Sequence, residues 1–373
     1  MDLSALIIST LSFMTNYVFV FIATLAVLVF VHEYGHYWVA KMFGIHAKVF
    51  SIGLGPEVFS WTDKNDVVWR VGALPLGGYV RFWEDTDEPD RYFKKKSFMS
   101  YPAWRRIFVV LAGPAANFLL SISVFAIVVW STGQGFLKPI IAEVMPHSAA
   151  EQAGLLVGDK IINIDGISIK DFRDISSAIS GSGGKQLSML VEREGELTSV
   201  AVVPKDIEEE TEFGVVRTAM LGVRSGVGPE YVQRFPISLL DAFFVGWERC
   251  FSVVKQSFEV LYKLVSGRMF VGQLSGVIGI AAVVGSAVQV SFTDYFIVLA
   301  WLSSSIAFIN LLPIPILDGG HVFFGLIEIV SGGRALPKGV QDFCWKVGFT
   351  LLLLLIVLAN YNDLRNLVLS LYW

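Results

Sequence analysis

Residues 17–38 read YVFVFIATLAVLVFVHEYGHYW. The run up to Val31 carries no charge, and about 20 apolar helical residues are what it takes to cross the ~30 Å hydrocarbon core of a bilayer. His32, Glu33 and His36 then interrupt it. An ionisable group inside a membrane helix costs on the order of 3 kcal/mol unless it faces a paired or functional site. Three of them on one turn therefore call for a common partner. Positions i and i+4 share a helix face, so the imidazoles of His32 and His36 can hold one divalent cation while Glu33 stands beside them to act on water. An H-E-x-x-H pattern also arises by chance in unrelated chains, and its place at the end of a membrane helix is what favours the metal reading.

Hydrophobic residues make up 54% of the chain and charged residues 17%, below the quarter or so of charged residues usual in soluble domains. The chain is read as an integral membrane protein. Three further spans are expected at residues 107–130, 295–316 and 344–362, while residues 269–293, uncharged but rich in Gly, Ala and Ser, form a fifth candidate. A net charge of −4 gives no reason to expect a nucleic-acid partner. Cys250 and Cys344 stand far apart, which disfavours a disulfide framework or a thiolate metal site. The first 31 residues carry one charge, Asp2, and lack the basic start of a cleaved signal peptide.

Residues 41–106 hold eleven Lys or Arg, among them Lys94, Lys95, Lys96, Arg105 and Arg106. Basic residues near span ends stay cytoplasmic. Four crossings then put both termini and residues 131–294 outside, and the loop with Arg334 and Lys338 inside. In that outer region, residues 136–224 read as a small soluble domain, with alternation at Ser188-Met189-Leu190-Val191-Glu192 and turn signals at Asp165-Gly166 and residues 181–184. Residues 237–265 carry apolar positions at helical spacing broken by Asp241, Glu248, Arg249, Lys255, Glu259 and Lys263, the pattern of an amphipathic surface helix. The expected fold is thus an α-helical membrane core in two parts, residues 1–130 and 269–373, around a soluble insert.

A catalytic zinc takes three protein ligands and keeps one position open. The third is sought in NLLPIPILDGG, residues 310–320, where Pro313 and Pro315 break a helix before Asp318 and the glycines allow close backbone approach. The blander reading makes Asp318 a helix cap at an exit turn. Because His36 finishes an out-to-in helix, Asp318 must follow one too. Counting residues 269–293 as a span would put the ligands on opposite faces, so four spans are retained. His321 is an alternative ligand or a supporting group, whereas His46 and His147 lie away from the span. Asn310, two helical turns before Asp318, is expected to face the same cavity, to bind substrate or to join helices.

The chain resembles the site-2 protease family of intramembrane zinc metalloproteases, in its bacterial, regulator-of-sigma-E-protease-like branch. The likeness is carried in order by HEYGH (32–36), GLGP (53–56), PLGGYV (75–80), AGPAAN (112–117) and NLLPIPILDGGH (310–321), and AGLLVGDKIINIDG (153–166) resembles a PDZ signature. The resemblance implies four transmembrane helices, a re-entrant β-hairpin and an inserted mixed α/β PDZ domain. It implies one Zn2+ per chain on His32, His36 and Asp318, with Glu33 as the catalytic base. Substrate binding is implied at Asn310, at Gly53, Gly77 and Gly78 of the hairpin, and at Gly222 in a carboxylate-binding turn, Leu221-Gly222-Val223. The implied substrates are single-pass transmembrane proteins, such as anti-sigma factors and remnant signal peptides, first trimmed by an upstream site-1-type protease. The implied setting is the bilayer of a bacterial inner membrane, with both termini and the PDZ domain periplasmic and the active site near the cytoplasmic face.

Residues 49–53 and 67–71 have strand character, and bare strands cannot face lipid. They form either an ordinary cytoplasmic hairpin or a shielded element whose edge pairs with unwound substrate. The PDZ insert either binds a peptide or filters substrates by size. The chain departs from some relatives in having one PDZ signature rather than two, and in Ser305 where several carry Asn. A metal transporter would also place His and Asp in a membrane, but it needs neither a Glu beside the first His nor a PDZ insert. An inert scaffold would not keep the whole catalytic set.

Overall fold

Among the residues described by the computed structural model, which are 14–83, 97–211, 214–226, 228–268 and 275–372, four helices are long and apolar enough to cross a membrane. They are Tyr17–Met42, Ala103–Thr132, Phe292–Asn310 and Lys338–Asn366. Lys94, Lys95 and Lys96, the chain start to residue 13 and residues 269–274 lie outside the described residues. The chain divides into a membrane unit, Met1–Val128 with Leu239–Trp373, and an inserted unit, Val129–Ser238.

Among the described residues the membrane unit begins with a π-helical turn, Met14–Phe19, that runs into α1, Val20–Met42. β1, Ala47–Thr62, and β2, Val68–Phe82, follow, and then α2, Ala103–Thr132. The expected short hairpin is longer and folded over. Residues 49–52 of β1 pair on one side with residues 78–81 of β2 and on the other with residues 68–71. Both strands bend where Gly53 (φ +88°) meets Gly72: a Cβ on Gly53 would sit 2.8 Å from the Gly72 carbonyl oxygen. Phe50, fully buried, stacks on Trp69 and packs edge-on to Tyr37 of α1, which fastens the sheet to the end of the first span.

In the inserted unit, β3 (Lys160–Ile164), β4 (Ile167–Ser168), β5 (Leu187–Arg193) and β6 (Glu196–Val202) form an antiparallel sheet in the order β4-β3-β5-β6. The Asp-Gly signal is a two-residue hairpin turn, with Asp165 at φ 48° and Gly166 at 87°, as a turn with positive φ at both centres requires. Leu187, Met189 and Val191 of β5 alternate into a core with Ile141, Ile161, Ile164, Val202 and Leu221. Strand Gln134–Leu137 pairs antiparallel with Val232–Phe235, which brings the two ends of the unit side by side.

The chain returns through α3 (Leu239–Val265), α4 (Val277–Val290), α5 (Phe292–Asn310), α6 (Asp318–Val330) and α7 (Lys338–Tyr372). Phe21 and Leu28 of α1 pack with Ala281 and Val284 of α4 and Leu299 and Leu302 of α5. A second cluster joins Ile122 and Phe125 of α2, Cys250 and Val253 of α3 and Ala300 of α5. Small residues permit these approaches, as expected where helices pack without a hydrophobic driving force. A Cβ on Gly35 of α1 would come 2.8 Å from the Ala116 Cβ of α2, and one on Gly246 of α3 would come 2.6 Å from the Ile122 carbonyl oxygen. With 14 residues, α4 rises about 21 Å, short of the hydrocarbon thickness. The third span ends at Asn310 rather than Ile316, because Pro313 and Pro315 supply no amide protons to continue it. The two-turn spacing expected between Asn310 and Asp318 is thereby corrected: a non-helical connection separates them, and Asp318 opens α6.

Candidate metal centre

His32 and His36 lie one turn apart on α1, both buried, with their Nε2 atoms 3.2 Å apart. Asp318 Oδ2 is 3.0 Å from His32 Nε2 and 3.5 Å from His36 Nε2. Asp318 reaches them because the connection after α5 folds back under the start of α6. A Cβ on Gly320 would come 2.5 Å from the Pro315 Cα, and one on Gly319 would overlap the carbonyls of Leu311 and Leu312, so only glycine fits at either position. At its other end α6 is tied to α2 by a largely buried ion pair, Arg106 Nη2 to Glu328 Oε1, at 2.6 Å.

α2 forms the floor of the site. Gly113 sits under both imidazoles: a Cβ there would come 2.9 Å from His32 Nε2 and would overlap His36 Nε2. The Val109 carbonyl lies 2.9 Å from His36 Nδ1. A carbonyl only accepts, so that bond places the His36 proton on Nδ1 and leaves a lone pair on Nε2.

That lone pair faces a carboxylate oxygen, and Asp318 Oδ2, although buried, accepts no hydrogen bond among the described residues. A buried acceptor without a donor is costly. One ligand atom from each of the three residues lies within 4.8 Å of the others. Two imidazoles and a carboxylate are the donor set of a hydrolytic zinc, and tetrahedral bonds of 2.0–2.1 Å would set ligand atoms about 3.3 Å apart. The residues fit such an ion.

The three ligands open onto a cavity of about 510 Å³ whose wall includes Glu33, Gly77, Gly78, Val80, Asn310 and His321. Glu33 lies against β2: its side chain shares the cavity wall with Val80, and a Cβ on Gly78 would come 3.1 Å from Glu33 Cγ. The strand beside it is half paired. Residues 78–81 bond to β1 along one edge, and among the described residues no strand pairs with the other.

The structure therefore brings together Glu33, His32, His36, Asp318, Asn310, Gly77 and Gly78. Gly53 is at the sheet bend rather than in the cavity wall, where close contact with Gly72 demands glycine. Gly222, at φ +79°, belongs to the inserted unit and packs on Ser148. His321 shares the cavity but contributes no atom to the three-ligand cluster. His46 lines a separate cleft with Lys41 and Lys64. The Ser305 hydroxyl is bound within its own helix, donating to the Trp301 carbonyl at 3.0 Å. Gly113 and Asn117 lie in the AGPAAN motif, and sequence alone gives neither a role. Their signal was the run of small residues in AGPAAN, whereas the Val109 carbonyl leaves no trace in side-chain identity.

The family model for Peptidase family M50 matches residues 20–355. The chain is 34% identical to "Putative zinc metalloprotease Atu1380" of Agrobacterium fabrum over 97% of its length and 99% of that protein's. It is 35% identical to "Putative zinc metalloprotease R01501" of Rhizobium meliloti, covering 92% and 95% of the two chains. It is 33% identical to "Metalloprotease MmpA" of Caulobacter vibrioides, covering 92% and 94%.

Proposed function

The chain belongs to peptidase family M50, and from that premise we propose that this membrane metalloprotease is an intramembrane zinc endopeptidase cutting single-pass proteins in or near their transmembrane segments. The observation that carries the reading is the convergence of His32, His36 and Asp318 in one cavity with Glu33 and an open strand edge. His32, His36 and Asp318 would hold zinc, which supplies Lewis acidity to polarise a carbonyl. Glu33 takes the proton from the attacking water and returns it to the leaving amine. The open edge of β2, lined by Gly77 and Gly78, pairs with an unwound substrate. That step is needed because a helical peptide bond is shielded by its own turns. Asn310, which lines the same cavity, donates to the substrate backbone.

Anti-sigma factors and remnant signal peptides, trimmed first by a site-1-type protease, are the substrate class in this reading. Residues 153–166 and the β-rich insert support a PDZ domain. Arg105 and Arg106 at the start of α2 support a cytoplasmic position for that end, with the insert and both termini periplasmic in a bacterial inner membrane. Glu33→Gln tests the reading. It should abolish cleavage of a single-pass substrate in vesicles while the purified chain keeps about one zinc, since Glu33 is a base and not a ligand. Retained turnover, or loss of zinc, would sink it.

A further inference from the structure

Each ligand imidazole has its second nitrogen against α2. His36 Nδ1 faces the Val109 carbonyl at 2.9 Å, and His32 Nδ1 faces the side-chain amide of Asn117 at 3.3 Å. Asn117 has no exposed surface, and its main-chain carbonyl accepts from the buried Ser303 hydroxyl of α5 at 2.8 Å. The amide as it stands turns Nδ2 toward His32 and leaves Oδ1 buried with no partner among the described residues. A ligating Nε2 must carry a lone pair, so the proton of His32 belongs on Nδ1. An amide nitrogen cannot accept it. Half a turn about the last torsion of Asn117 exchanges oxygen and nitrogen and meets the Nδ1 proton with an acceptor.

We propose that Asn117 is a positioning residue of the metal centre, its side-chain carbonyl accepting the Nδ1 proton of His32 as the Val109 carbonyl accepts that of His36. The inference rests on the zinc reading above. The bond fixes the His32 tautomer, orients the ring and raises the basicity of Nε2. Outer partners of this kind are worth roughly 10–100-fold in metal affinity. Asn117 itself touches neither ion nor substrate.

The test compares zinc affinity in the purified full-length chain, by competition with a chromogenic chelator, for wild type, Asn117→Leu and Asn117→Asp. Leu has nearly the shape of Asn and no acceptor, so affinity should fall roughly 10–100-fold. Asp presents acceptors in both positions and should restore affinity at least to the wild-type value, a rescue that a packing role would not give. Equal affinity of wild type and Asn117→Leu overturns the proposal. Equal loss in Asn117→Asp and Asn117→Leu also overturns it, since a carboxylate facing an unprotonated Nδ1 would repel. If Asn117→Leu does not fold, Asn117→Asp decides alone: wild-type affinity supports the assignment and weakened affinity overturns it. A wild-type chain that holds no zinc removes the zinc reading and this inference together, an outcome distinct from the others.

Discussion

Gly113 of α2 lies directly against His36 of α1, so close that a single methyl group on the glycine would overlap the ring nitrogen that faces Asp318. Alanine is a better helix former than glycine, and Gly113→Ala is expected to keep α2 helical while pushing both imidazoles off the carboxylate. Displacing reacting groups by about 1 Å costs on the order of 100-fold in rate, and activity should fall by at least that much with a parallel loss of bound zinc. Chelator competition and a cleavage assay on the same preparation check this. Undiminished zinc binding in Gly113→Ala would mean that the ligands sit elsewhere.

Asp318 and His321 are one helical turn apart at the start of α6, and only Asp318 supplies an atom to the cluster. Asp318→Ala is expected to lose zinc and activity together, because two protein ligands remain where three are needed. His321→Ala should keep its zinc. The opposite pattern, measured as metal per chain, would make His321 the third ligand.

Asp159 is buried, and Arg193 donates to it at 2.8 and 2.7 Å from Nε and Nη2. The Arg193 guanidinium, helped by the Leu156 amide and opposed by burial, holds the Asp159 carboxyl below its ordinary 3.8. A depressed folded value means that this carboxylate stabilises the inserted unit fully above the unfolded value. The contribution fades as pH falls below about 4 through the folded value. Circular dichroism melts of a fragment of residues 129–238 should show an acid-side loss of melting temperature that is shallower in Asp159→Asn, with the variant already less stable at pH 7. Parallel pH profiles would show that Asp159 is not linked to folding.

Much of the membrane architecture was legible because a span announces itself by length and apolarity, as residues 17–38 do. The metal cluster was legible for a related reason: charged residues where lipid should be demand an explanation. What composition could not convey was where a chain stops being helical. Asn310 ends α5 because of prolines three and five residues on, and apolar length alone carried the expected span to Ile316. The sheet was less legible still. Residues 49–52 pair on both sides, and that arrangement needs the close approach of Gly53 to Gly72, nineteen residues on. Asn117 reads as one more small polar residue in a membrane helix until His32 is placed beside it.

The arrangement of the insert's ends permits a sharper experiment on what the insert does. Leu137 is the register partner of Val232 in the antiparallel ribbon that closes the unit. Residues 138–231 can therefore be removed and Leu137 joined to Val232 through Asn-Gly, the two-residue turn suited to such a pair. In the reading given above the insert lies outside and the metal near the cytoplasmic face, so the insert restricts access and performs no chemistry. The shortened chain is then expected to cleave a pre-trimmed single-pass substrate at close to the full-length rate. It should also begin to cleave an untrimmed substrate whose folded outer domain the full-length chain rejects. If the insert instead captures the new C-terminus of trimmed substrate, the trimmed substrate should lose most of its turnover and the untrimmed one should gain none. Both substrates are compared in one vesicle assay with zinc content measured on the same preparation. Equal loss on both substrates with zinc retained would show that the insert organises the membrane helices, and the access role would be abandoned.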